Sequence, residues 1–349
     1  MDSDPHVLQR SILWTIAPVN PLSDPYTFGH SPSLIRMPDG KLLAVWWAQY
    51  LRGGCVLGCY STDDGGHWSE AQPLDDVPDV WHADPALLRD GERVWLFYNL
   101  WFGHHAIPSL GLKITPLDNS PLSRDCYYRY SDDSGQTWTQ SRLLDRHSCL
   151  RAKGIRLKNG ELLLPAWEGR VSRVLKSTDR GASWRRCGHI QTAETAEPCV
   201  LELTDGRILM FLRAEDGHIW RSVSEDAGDN WSAAESTQLV QSNHPAELFR
   251  LADGTIALGY DASLDRGRRA RTALGLRFSK DEGDTWSEPL IVEAQPEPQP
   301  PRFSIGYPSI AEDQNGNILV SYYHKWQQPG EELTTQIKVA RLARPTAHA

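Results

Sequence analysis

Ionisable side chains stand at matching points along this 349-residue chain. His30, His82 with Asp84, Arg151 with Lys153, Glu194 with Glu197, His244, and Arg302 with Tyr307 each lead into a short apolar run. Gln49, Asn99, Glu168, Arg213, Asp261 and His324 follow the next apolar run, and His104 and His105 lie just beyond Asn99. Carboxylates, histidines and tyrosines can move protons when their surroundings tune them, and arginines can hold an anion through a planar fork. If the chain brings these groups together, the set suits acid–base chemistry on a substrate that carries a carboxylate. Because the positions recur, the elements that carry them must recur too.

The repeat is written in two phrases. Ser-x-Asp-x-Gly-x-x-Trp occurs as STDDGGHW at 61, SDDSGQTW at 131, STDRGASW at 177, SEDAGDNW at 224 and SKDEGDTW at 279. Before each box stand an apolar run, an Asp-Gly or Asn-Gly turn, and a second apolar run. These are SLIRMPDGKLLAVWW, ALLRDGERVWLFYNL, GIRLKNGELLLPAW, CVLELTDGRILMFL and ELFRLADGTIALGY. A sixth copy, SIAEDQNGNILVSYY, has no box after it. Asp-Gly and Asn-Gly tolerate the positive φ of a tight hairpin, so each phrase reads as two antiparallel strands. A third strand (CVLGCYS, CYYRYS, SRVLKS, IWRSVS or LGLRFS) runs into each box, and the box turns the chain into a fourth. Its Asp can bond local amides, its Gly allows the bend, and its Trp can wedge between units.

Four antiparallel strands in each of six units make an all-β fold, a six-bladed β-propeller in one domain over residues 1–349. TTQIKVARL supplies a late strand, and SILWTI can close the ring. Blade two carries an insertion from about Trp101 to Arg124. Strands alternate in direction, so the Asp-Gly turns and the boxes share one face of the disc. The residues named at the outset converge on the axis at the opposite face, which makes that face the expected site.

Composition excludes several classes. The net charge of −9 gives no nucleic-acid footprint, and no apolar run approaches the length that crosses a bilayer. The start, MDSDPHVLQR, lacks a basic region followed by an apolar stretch, so a cytoplasmic chain is expected. The six cysteines form no CxxC pair and are expected to be reduced packing residues, Cys55 and Cys59 included. Neither HExxH nor an EF-hand loop is present, and no cofactor is expected. His82, Asp84 and His104 form the one trio considered for a divalent ion.

The five boxes and the six-unit layout resemble the sialidase superfamily, whose repeat is called the Asp box or bacterial neuraminidase repeat. The resemblance covers nearly the whole chain. It implies a tyrosine nucleophile activated by a glutamate, an aspartate acid/base, and three arginines that clamp a substrate carboxylate. EPCVLELTDGRILMFLR is similar to the segment that bears the glutamate and one clamp arginine, here Glu197 and Arg213. ARTALGLRFSKDEGDTW resembles the segment of another clamp arginine, here Arg271, and FSIGYPSI that of the nucleophile, here Tyr307. Two positions depart from the pattern. His30, in FGHSPSLIRMPDG, stands where the first clamp arginine belongs, with Arg36 further along the strand. The loop QYLRGGCVLGCY holds no acid where the acid/base aspartate belongs. The chain therefore resembles the divergent sialidase-like branch, which includes enzymes of other glycans and lyases of uronic acids.

Three functions follow as expectations. The first is an exo-acting glycoside hydrolase of a terminal, acidic sugar. Tyr307 and Glu197 are then the nucleophilic pair, Arg213 and Arg271 bind the carboxylate, and Asp84 or a histidine supplies the acid. The second is a uronate lyase that uses His82 with His104 or His105, Tyr307, and Arg151 or Arg213. The third is a glycan-binding propeller without catalysis. Arg302, at the end of the stiff QPEPQPPR segment, completes the expected substrate-binding set with Arg151, His30 and His244.

Overall fold

The computed structural model describes residues 6–16, 28–50, 53–78, 80–102, 123–190, 194–242, 244–263, 271–295, 302–327 and 334–344. Among them every regular element is a strand, and no helix is long and apolar enough to cross a membrane. Six antiparallel sheets are present. The final one is built from β23 (Arg302–Glu312), β24 (Ile318–Gln327) and β25 (Thr334–Leu342), with β1 (Val7–Ile16) added at its edge. Strand β1 pairs antiparallel with β25 from Val7 opposite Leu342 to Ile16 opposite Thr335, so the two ends of the chain close the ring as SILWTI suggested.

In the first blade the order is β2 (Phe28–Arg36), β3 (Leu42–Tyr50), β4 (Gly53–Ser61) and β5 (Gln72–Asp75), from the axis outward. Blade two opens with β6 (Trp81–Asp90) and β7 (Arg93–Phe102), blade four with β15 (Ala196–Glu202) and β16 (Ile208–Arg213), and blade five with β19 (Glu247–Arg250) and β20 (Ile256–Asp261). In blade three the inner strand is split into β10 (Cys149–Leu150) and β11 (Ile155–Arg156), both paired with β12 (Leu162–Glu168). Each first strand packs on the first strand of the next blade, and β23 packs back on β2. Apolar clusters fill the seams. One joins Leu34, Trp46 and Cys59 of blade one to Tyr307, Leu319 and Ile337 of blade six. The six cysteines are buried, unbridged thiols.

The boxes are the turns their composition indicated. In the first, the Asp63 carboxylate accepts the His67 amide at 2.8 Å and the Ser61 hydroxyl at 2.9 Å, and the Gly65 amide donates back to Ser61 Oγ at 2.9 Å. Asp133, Asp179, Asp226 and Asp281 repeat this arrangement. The residue before each box glycine is left-handed, with φ of 57° at Asp64 and 62° at Glu282. The Trp wedges across a seam: Trp184 meets Trp95 of the preceding blade edge-on at 6.2 Å, and a Cβ at Gly181 would lie 2.3 Å from Trp95.

Candidate active site

Four inner strands break at the same point. The register skips between His30 and Ser33, Ala83 and Ala86, Ala196 and Cys199, and Gly306 and Ser309. Each break holds an X-Pro pair: Ser31-Pro32, Asp84-Pro85, Glu197-Pro198 and Tyr307-Pro308. The residue before proline is left-handed in all four, with φ of 53°, 46°, 45° and 55°. Proline lacks the N–H that a continuous ladder needs, so the strand bulges there. A positive φ is costly for a residue with a side chain, and such strain is typical of functional positions. Three of the four strained residues are the chain's candidate acid, base and nucleophile.

These bulges gather one cluster. The Tyr307 hydroxyl donates to Glu197 Oε1 at 2.8 Å. Arg213 ion-pairs with the other Glu197 oxygen, and its Nη1 lies 3.5 Å from Tyr307 Oη. The Arg271 guanidinium sits 5.5 Å from the Tyr307 ring centre and donates to Tyr323 Oη at 3.1 Å. Two guanidinium groups therefore flank the phenol. The His30 ring is 4.2 Å from the rings of both Tyr307 and Tyr323.

Burial sets the protonation states. It pushes the Tyr307 phenol above its ordinary value and the charge of Glu197 adds to this, while Arg271 and Arg213 oppose them. The phenol is therefore neutral at rest and already bonded to the carboxylate that can take its proton. Asp84 is raised to about 7, first by burial and next by the charge of Glu197, against the pull of Ser31, Arg151 and Arg124. A carboxyl that titrates near neutrality can both give and take a proton. His30 is held well below its ordinary range by burial and then by Arg271 and Lys325, so its imidazole is neutral.

A cavity of about 380 Å³ opens over this cluster, lined by His30, Asp84, Glu197, Arg213 and Tyr307. Trp47, Trp101 and Trp167 wall it, each near the end of the second strand of its blade. Arg124 lies 4.6 Å from the Trp101 ring centre. The sequence reading missed this aromatic wall, although Trp47 and Trp167 share one position in their repeats and Trp101 lies two residues further along its strand. A larger cavity, about 890 Å³, opens at the other end of the axis on the side of the Asp-Gly turns.

Several expected site residues stand elsewhere. His82 is fully buried between blades one and two, where its Nε2 meets Asp75 Oδ2 at 2.7 Å and its ring stacks on Tyr98. It does not line the cavity, because the bulge at Asp84 turns only the later residue toward the axis. His82 and Asp84 therefore do not share a site. Among the described residues, no group of three His, Cys, Asp or Glu side chains could hold a metal ion. Arg151 is buried beneath Tyr307, bonded to backbone carbonyls rather than open to a substrate. His244 is fully buried behind Tyr307, edge-on at 5.0 Å. Asn99 ties blade two to blade three by donating to the Leu150 carbonyl and accepting from the Leu150 N–H. His104 and His105 lie outside the described residues, as does the side chain of Arg302.

A family model for the BNR repeat-like domain matches residues 40–320. The chain belongs to the BNR repeat-like domain family. This BNR repeat-like propeller is also similar to sialidases at low identity. It is 23% identical to an anhydrosialidase of Macrobdella decora over 57% of this chain and 30% of that protein. It is 26% identical to a sialidase of Paraclostridium sordellii over 57% of this chain and 56% of the relative. The chain thus spans little more than half the length of these curated relatives at most. An intramolecular trans-sialidase of Ruminococcus gnavus, solved with oseltamivir carboxylate, shares the fold with a TM-score of 0.70. That match is 16% identical and covers 94% of this chain and 99% of the other.

Proposed function

We propose that this chain is a glycoside hydrolase that removes a terminal, carboxylate-bearing sugar from a glycan. The observation that carries the reading is the Tyr307–Glu197 hydrogen bond flanked by Arg213 and Arg271. Similarity to an anhydrosialidase and a sialidase supports it.

In the first step Tyr307 Oη attacks the anomeric carbon and its proton passes to Glu197. The bond to the leaving oxygen breaks, and that oxygen takes the proton of Asp84. A neutral phenol suits this attack, because a carboxylate nucleophile would be repelled by the sugar's own carboxylate. Arg213 and Arg271 hold that carboxylate through charge-assisted hydrogen bonds. In the second step water attacks the same carbon and gives a proton to Asp84. The bond to Tyr307 breaks, and the phenolate recovers its proton from Glu197. Each group ends as it began.

The Tyr–Glu pair favours hydrolysis over β-elimination, for which the histidine His82 is turned away. Product mass tests the choice. The protein is incubated with sialylated and uronate-bearing oligosaccharides. Fragments whose summed mass exceeds the substrate by one water support hydrolysis. Fragments that sum to the substrate mass, one carrying a new double bond, overturn it in favour of elimination.

A further inference from the structure

The inner strand of blade three is the one that is split, and the residues between its halves enter the axis. The side chain of Arg151 is 1% exposed there. Its Nη2 donates to the Pro308 carbonyl at 2.6 Å and its Nη1 to the Ala246 carbonyl at 3.4 Å. Its guanidinium carbon lies 5.2 Å from the centre of the Tyr307 ring. Lys153, two residues on, donates to the carbonyls of Leu34 and Ile310. Glu247 balances both cations, at 3.5 Å from Arg151 and 3.1 Å from Lys153. Blade three thus sends two cations across the axis to backbone atoms of blades one, five and six.

The bonded carbonyls are not scattered. Pro308 directly follows Tyr307, at the break where β23 loses register with β24. The ladder cannot hold that turn, since Pro308 has no N–H and Tyr307 is left-handed. A buried cation is expensive unless it is paired and fully bonded, and an apolar side chain would fill the same space at less cost. What the guanidinium supplies is a fixed bond to the turn together with a charge beneath the aromatic ring.

We infer that Arg151 is a positioning residue for Tyr307, pinning the Tyr307–Pro308 turn from across the propeller axis. Its catalytic consequence rests on the hydrolase reading above, but its geometric consequence does not. Arg151 also faces Asp84, together with Glu197, Ser31, Arg124 and Cys149. Loss of its charge therefore moves the Asp84 titration upward.

The test compares Arg151→Met and Arg151→Lys by kinetics and by NMR of protein labelled with ¹³Cζ-tyrosine. Tyr307→Phe assigns the Tyr307 resonance. In Arg151→Met the resonance shifts and broadens. Its kcat falls about 10²-fold, as a misplacement near 1 Å would cause. KM changes little, and the alkaline limb of the pH profile moves up. Arg151→Lys keeps the buried charge and so the fold. It restores the limb but not the kcat, because an ammonium cannot reproduce the fork. An unmoved Tyr307 resonance in both variants overturns the inference, as does a loss of thermal stability with native kcat and native pH profile. If the unaltered protein hydrolyses no substrate, the hydrolase reading fails, while the resonance still decides the positioning claim.

Discussion

The Tyr307 hydroxyl and the Glu197 carboxylate are 2.8 Å apart although 110 positions separate them in the chain. Blades four and six each bend at an X-Pro bulge to bring them together. If this pair is the nucleophile and its base, Glu197→Gln lowers kcat about 10²–10⁴-fold, the usual worth of a placed general base. Tyr307→Phe lowers it at least as much. Binding of a competing acidic sugar, measured by calorimetry, stays within a few-fold in both variants. Turnover that survives Tyr307→Phe would sink the nucleophile assignment.

If Asp84 is the acid, it carries the pH dependence. Its carboxyl is raised to about 7, so the proton it must donate is present below that pH and lost above it. The rate is expected to fall as pH rises through about 7, and Asp84→Asn removes that limb along with most of the activity. Stability follows the same sign. A carboxyl raised above its unfolded value of 3.8 destabilises the folded chain progressively as pH rises from about 4 to 7. Asp84→Asn therefore melts higher than the parent at pH 8, and the gap closes toward pH 4. An equal gap at both pH values would refute the raised titration.

Arg213 and Arg271 are expected to act on substrate affinity. Loss of a hydrogen bond to a charged group costs about 1.5–3 kcal/mol, so Arg271→Met raises KM about 10–10²-fold for an acidic sugar. The same variant leaves a neutral analogue, in which an amide replaces the carboxylate, unaffected. Arg213 also pairs with Glu197. Its replacement lowers kcat as well as raising KM, and steady-state kinetics on both variants separates the two patterns.

The box aspartates set acid tolerance. Hydrogen bonds hold Asp133 at about 2, first from the Thr137 side chain and then from its amide; Asp179 and Asp281 sit at about 2 for the matching reason. Carboxyls depressed below 3.8 stabilise the fold fully above about pH 4, and that contribution is lost as pH falls toward 2. The share of the urea midpoint that these three carboxylates supply is expected to be constant above pH 4 and to drop below it. Asn at all three positions flattens the drop while lowering the midpoint at pH 7.

The propeller was legible because its signals are local. An Asp-Gly between apolar runs, or a Ser-x-Asp-x-Gly box, closes its own hydrogen bonds within a few residues, and six repeats leave one way to bury their seams. That Glu197, Tyr307 and Arg213 meet in one cluster was suggested by their segments. The direction of side chains at the inner bulges was not. Strict alternation places His82 and Asp84 on one face, yet the left-handed turn at Asp84 sends it to the axis and leaves His82 against Asp75. The X-Pro pairs at Ser31, Asp84, Glu197 and Tyr307 were visible in the sequence and would have marked these positions. Arg151 and His244 look like pocket residues by register. Only the packing across the axis shows them behind Tyr307.

His244 and Gly306 form the tightest fit in the site. A Cβ built on Gly306 would lie 1.6 Å from His244 Cε1, so the glycine admits the ring as well as taking a φ of 152° that side chains disfavour. The ring in turn backs Tyr307 edge-on at 5.0 Å. Gly306→Ala forces one of them to move and is expected to cost about 3 kcal/mol, the upper range for overpacking. His244→Ala alone leaves a void and costs about 2 kcal/mol. In the double variant the new methyl group occupies the void, so the combined cost falls short of the sum by about 1 kcal/mol or more, a coupling typical of touching residues. Urea unfolding of the four proteins gives this number directly. Additive costs would mean that Gly306 is not held open by His244, and the backing of Tyr307 would then need another source.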